Sequence, residues 1–179
     1  VRGGNGAVFD PQIEQQGRLE LEIAGKPIML RWASLATDAG PSVCLRILRL
    51  ESRAAVRLEE LGYLPQQVAT LERARRTEGG ITVLAGAVGS GKSTTIATLM
   101  SMISPYRKVI TLEDPVEYLI DGALQNTITR SLDGETRDVF QAKLRTVKRS
   151  AMNDLLVGEI RDRETGRALM DLAGSGVSV

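Results

Sequence analysis

The chain has 179 residues, 42% hydrophobic and 25% charged, with a formal net charge of +1, as in an ordinary globular protein. It holds no histidine and one cysteine, Cys44. That excludes imidazole bases, zinc sites and internal disulfides, and fits a cytosolic setting. No bulk basicity calls for nucleic acid or an anionic membrane, and no apolar run reaches the roughly 18–20 residues of a membrane span.

The chain begins at Val1 with no visible signal peptide and stops in the apolar stretch GSGVSV, the pattern expected of a piece of a longer protein. From Gly17 to Gly25, GRLELEIAG alternates Leu19, Leu21 and Ile23 with charge, the period of a half-buried strand. AGKP is a turn, Ile28 to Ser34 reads as the returning strand, and TDAGPS is loop chemistry. Val43 to Leu50 is a third strand with Val43, Leu45 and Ile47 on one face. These residues predict a small antiparallel sheet.

Between Ser52 and Arg76 the period becomes helical. One helix stops at Gly62, and a second restarts with Pro65 in its first turn. Beyond Glu78 strands and helices alternate. ITVLA reads as a buried strand, Gly91 to Met102 as an amphipathic helix, KVITLE as a strand and GALQNTIT as a short edge strand. Then come a helix with Val139, Leu144 and Val147 at helical spacing, the strand DLLVGE, the helix DRETGRALMDLAG, and VSV opening a further strand. This order predicts an α/β domain with a parallel sheet covered on both faces.

Gly86, Ala87, Val88, Gly89, Ser90, Gly91, Lys92, Ser93 and Thr94 form GAVGSGKST, which satisfies the phosphate-loop pattern G-x-x-x-x-G-K-[ST] between a predicted strand and a predicted helix. The glycines let backbone N–H groups turn inward on phosphate oxygens, and the helix N-terminus adds its positive end. Lys92 reaches the β- and γ-phosphates, and the Ser93 hydroxyl is an Mg2+ ligand. Carboxylates follow two later strands, where a parallel sheet collects its ligands. These are Glu113 and Asp114, with Glu117 nearby, in LEDPVEY, and Glu159 in LLVGEIRD. A carboxylate there orients the attacking water or holds the metal's water shell, with Gly158 leaving room. The bland readings are a polar turn at Glu113–Asp114 and an ion pair of Glu159 with Arg161 or Arg163.

GAVGSGKSTT, VITLEDPVEY and LLVGEIRDRET resemble, in order and spacing, the Walker A, Asp-box and Walker B motifs of the secretion ATPases of type II secretion, type IV pili and type IV secretion. The resemblance is close from about Gly79 to Gly176. It implies an N-terminal PAS-like domain (the C-terminal portion of one, residues 1–57) ahead of a RecA-type P-loop core (58–179) that stops before the family's His box. It implies ATP and Mg2+ as cofactors, with Ser93 on the metal and Glu113 contacting it through water. Catalysis would fall to Glu159 and Glu113, and to Arg31 and Arg46, which match two family arginines facing a neighbouring subunit's γ-phosphate. It further implies a cytoplasmic hexamer, peripheral at the inner membrane, working on the platform of a pilus or secretion machine. Two departures stand out. Asn153 replaces a common Asp, and Val177 occupies the first His-box position.

Two other readings remain at this level. A nucleic-acid translocase would use the basic stretches Arg73 to Arg76 and Lys143 to Ser150, although only 3% of residues are aromatic for base stacking. A scaffold subunit would bind nucleotide without hydrolysing it.

Overall fold

The structure is a computed structural model and describes residues 8–49, 57–128 and 136–179. The chain divides into two compact units. One comprises Val1–Glu51 with Thr129–Phe140, the other Ser52–Ile128 with Gln141–Val179.

In the first unit, β1 (Gln15–Ile23), β2 (Lys26–Leu35) and β3 (Ser42–Arg49) form an antiparallel meander in the order β1-β2-β3. Its first turn is tight. Ala24 and Gly25 both have positive φ, 52° and 75°, so the twist of the two-residue connection matches that of the strands. The three strands are those expected; Leu50 lies outside the described residues. The alternation is real, but the apolar face is not the most buried one. Leu21, Ile23, Val43, Leu45 and Ile47 share it and are all exposed, Ile47 by 65%, while Met29 and Leu48 on the opposite face are buried. At one end the apolar face is covered. Trp32 stacks edge-on to Phe9, with ring centroids 6.2 Å apart, and a Cβ on Gly17 would come within 2.7 Å of the Trp32 indole nitrogen. Gln15 is buried there, accepting from Asp10 N–H and donating to the Val8 carbonyl.

In the second unit a short 3-10 turn, Leu58–Leu61, ends at Gly62 in the left-handed region; the earlier part of the expected first helix, residues 52–56, lies outside the described residues. Helix α1 (Pro65–Arg76) opens with Pro65, and the Gln67 side chain accepts from Leu64 N–H, the two devices that start a helix without a side-chain cap at its first residue. Then follow α2 (Lys92–Ser101), β4 (Val109–Glu113), β5 (Ala123–Thr127), α3 (Thr136–Val147), β6 (Asp154–Val157) and α4 (Arg163–Gly174). The sheet runs β5-β4-β6, all parallel. β4 and β6 are buried along nearly their whole length, and Leu112 and Leu155 are almost fully excluded from solvent, as parallel strands covered on both faces require. Leu144 and Val147 of α3 and Leu169 and Leu172 of α4 are buried as well. Each such leucine contributes about 1.5–3 kcal/mol of transfer free energy.

One expected strand differs. ITVLA, Ile81 to Ala85, is extended but does not form a ladder. The segment beginning at Ser178 lies between it and β6. Leu155 N–H donates to Ser178 C=O and Ser178 N–H to Asn153 C=O on one side. On the other, Thr82 N–H donates to Val179 C=O and Val179 N–H to Gly80 C=O. Ile81 and Val83 are exposed.

Candidate nucleotide site

The phosphate loop leaves Ala85 as an exposed bend and turns into α2 at Gly91. Gly89 and Gly91 have φ of 79° and 87°, a region where a Cβ is strained. A Cβ on Gly86 would stand 2.7 Å from Ser90 Oγ. Ser90 N–H donates to Ala87 C=O, and Thr95 N–H to Gly91 C=O. The N-cap, Gly91, has no side chain to satisfy the first turn of α2, and no acidic residue lies in that turn. An N-terminus without a side-chain cap or an acidic first turn leaves the positive end of the helix dipole available to an anion. Helix α4 shows the opposite arrangement. Its N-cap, Asp162, accepts from Thr165 N–H at 2.7 Å and from the Thr165 hydroxyl at 3.1 Å. Part of the specific-looking GEIRDRET stretch is thus a helix cap.

Lys92 Nζ donates to Gly86 C=O at 2.9 Å and to Ala87 C=O at 2.7 Å. Its charge is held over the loop on carbonyl oxygens, which a phosphate can replace. Ser93 is exposed in the first turn. Thr94 Oγ1 lies 3.1 Å from the Tyr118 hydroxyl, and Thr95 Oγ1 2.8 Å from that of Tyr63. These bonds tie the helix behind the loop to the segment after β4 and to the one before α1.

Glu113 is the last residue of β4. Its Oε1 accepts from Thr111 Oγ1 at 2.6 Å and from Gln125 Nε2 at 3.2 Å. Burial raises its pKa above the ordinary carboxylate value, against these two bonds and one from the Glu117 backbone. The bond from Asp114 to Pro115 is cis, and the chain turns there out of the strand. Glu159 stands just past the end of β6, half exposed and ion-paired with Arg161. The strand ends that carry them are adjacent, because Leu112 pairs with Val157 and Gly158 N–H donates to Leu112 C=O at 2.9 Å. A Cβ at Gly158 would be 3.4 Å from Glu113 Cα, an ordinary contact, so the protein's own packing does not demand glycine there.

A cavity of about 440 Å3 has Gly86 and Lys92 at its wall together with Gly158 and Glu159. Most of its lining is apolar, including Val83, Leu99 and Leu155, which is the wrong chemistry for phosphates.

Glu113 and Glu159 lie at the C-terminal ends of the adjacent parallel strands β4 and β6, and Glu159 lines the same cavity as Gly86 and Lys92 of the loop. Arg31 and Arg46 lie in the other unit, directly opposite one another on β2 and β3. Arg18 of β1, which the sequence reading missed, is opposite Arg31. Among the described residues its ion pair is a long one, 3.9 Å, with Glu20. Three arginines in one cross-strand row repel each other, and only the register reveals them. Gln125, Thr111, Tyr118 and Tyr63 were likewise missed, since lone polar residues carry no spacing signal. Asn153 Oδ1 accepts from Lys108 N–H at 2.8 Å, a role any Asx oxygen fills, so this departure from the family pattern is chemically mild.

The type II/IV secretion system protein family matches this chain over residues 5–179. The type II secretion system protein HxcR of Pseudomonas aeruginosa is 33% identical over 170 residues, 94% of this chain and 35% of HxcR. Type II secretion system protein E of Dickeya dadantii is 34% identical over 170 residues, 94% of this chain and 33% of that protein. The chain therefore spans about a third of the length of these curated relatives. The ATPase DotB of Legionella pneumophila shares the fold, with a TM-score of 0.69 at 23% identity over 92% of this chain and 45% of DotB. The pilus retraction motor PilT with bound ADP gives 0.67 at 26% identity over 92% of this chain and 47% of PilT. The parallel sheet is accordingly part of a RecA-type core. Since the match runs through the meander as well as the core, the likeness first seen in three motifs extends along the chain, which belongs to the type II/IV secretion system protein family.

Proposed function

We propose that the protein containing this chain hydrolyses Mg-ATP and converts the hydrolysis into movement between subunits of a hexamer. That movement would act on a pilus or secretion platform at the inner membrane. The observation that carries the reading is Glu159, just past the end of β6, lining one cavity with Gly86 and Lys92, at an α2 with no side-chain cap whose Lys92 rests on displaceable carbonyls. Backbone N–H groups and Lys92 would hold the phosphates, and Glu113 and Glu159 would orient the attacking water. An exposed hydroxyl on Ser93 and a carboxylate at Glu113 are hard oxygen donors. They suit Mg2+, which takes few protein ligands and keeps its remaining contacts on phosphate and water. The ion would neutralise charge on the phosphates.

Residues 1–57 would act as a PAS-like domain and 58–179 as the motor core. Arg31 and Arg46 would reach the γ-phosphate of a neighbouring copy, supplying planar charge only when subunits close. The relatives named for type II secretion and the pilus retraction motor support this class of work. No helix among the described residues is long and apolar enough to cross a membrane, which agrees with a peripheral position. The nucleic-acid reading is weakened by its own residues. Arg75 donates to Met102 C=O, Arg76 pairs with Glu72, and Lys143 donates to Thr127 C=O.

The test is hydrolysis by the full-length protein. Lys92→Ala should abolish nucleotide binding and turnover. Glu159→Gln should keep binding and lower turnover by about 100-fold or more. Turnover that survives both substitutions would sink the proposal.

A further inference from the structure

Gln125 is in β5, directly across from Thr111 of β4, so its side chain rises on the same face as Thr111 and, two residues on, Glu113. Its amide makes three hydrogen bonds. Nε2 donates to Glu113 Oε1 at 3.2 Å and to Tyr118 C=O at 2.8 Å, while Oε1 accepts from Ile120 N–H at 2.8 Å. The amide's orientation is not arbitrary, because flipping it would set an oxygen against two oxygens and an NH2 against an N–H.

Two consequences follow. Thr111 and Gln125 both donate to the same oxygen of Glu113, so the carboxylate's rotation is fixed and Oε2 faces away from both donors. The same amide also holds the segment after β4 by the carbonyl of Tyr118 and the N–H of Ile120, and the hydroxyl of Tyr118 reaches Thr94 behind the phosphate loop. A loop tie alone would need only the bonds to Tyr118 and Ile120. The third bond, to a half-buried carboxylate, is the one with chemical meaning.

The geometry points to Gln125 as a positioning residue for hydrolysis, aiming the Glu113 carboxylate and setting its distance from the phosphate loop through Tyr118 and Thr94. This rests on the ATPase reading above. The side chain does not touch nucleotide; it acts through Glu113.

The experiment is steady-state and single-turnover ATP hydrolysis by the full-length protein, with Mg-ATP affinity and melting temperature measured alongside. Gln125→Met removes all three bonds at nearly constant volume. Gln125→Glu keeps an acceptor for Ile120 N–H but sets an oxygen against Glu113 Oε1 and Tyr118 C=O, so it turns the aiming bond into repulsion and decides the matter if the methionine variant fails to fold. Each should lower kcat by about 10–100-fold with KM and Mg-ATP affinity unchanged. In a Glu113→Gln background either substitution should cost nothing further, because two residues acting as one unit are not additive. An unchanged kcat, a loss of affinity in step with kcat, or an equal further loss in the Glu113→Gln background would each overturn the assignment while leaving the ATPase reading intact. A wild-type protein that binds no nucleotide and hydrolyses none would instead overturn the ATPase reading, and this assignment with it.

Discussion

Glu113 is the residue at which stability and chemistry oppose one another. A carboxylate at a strand end in a parallel sheet loses water, and burial raises its pKa despite donors from Thr111, Gln125 and the Glu117 backbone. A group whose folded pKa lies above its unfolded one stabilises the fold fully only below the unfolded value. That contribution is lost as pH rises through the folded value. Ionising Glu113 in the folded protein is therefore a cost. Glu113→Gln is expected to raise the melting temperature at neutral pH while lowering hydrolysis by about 100-fold to a measurable residue, with the gain fading as pH falls below the ordinary carboxylate range. Melting curves across pH check this. A variant destabilised at neutral pH would mean that the hydrogen bonds outweigh the burial.

At the level of elements, the first unit turns on its hairpin. Ala24 sits at φ 52°, where a side chain bearing Cβ is strained by about 1–2 kcal/mol. The two-residue loop demands positive φ at both positions to keep β1 and β2 in register. Asparagine tolerates this region, so Ala24→Asn should stabilise the protein by about 0.5–1 kcal/mol, read as a higher urea midpoint at unchanged slope.

For the whole molecule, the proposal divides one site between two copies. The phosphate loop and carboxylates belong to one unit, and the row of Arg18, Arg31 and Arg46 to the other. If the arginines act across subunits, two inactive variants complement each other. Full-length Lys92→Ala and Arg46→Ala proteins should each be inactive alone and recover part of the wild-type turnover when co-assembled, because some interfaces then pair an intact loop with an intact arginine. Titrating one variant against the other in a hydrolysis assay reads this directly. A mixture as inactive as its components would place the arginines' role within a single subunit or outside catalysis.

By itself the sequence determined the strand and helix order, the phosphate loop and the family. Those rest on local regularities: an alternation of two, a helical period, and a glycine spacing set by how backbone N–H groups surround a phosphate. It also marked Glu113 and Glu159, since each follows an apolar strand. Only the tertiary structure decided which neighbours these residues acquire. Ser178 and Val179 come between β6 and the phosphate-loop segment, Gln125 crosses to Glu113 from a strand 12 positions later, and Arg18 joins Arg31 and Arg46 in one row. Pairing and register between distant segments depend on the packing of the whole sheet, which no local pattern encodes.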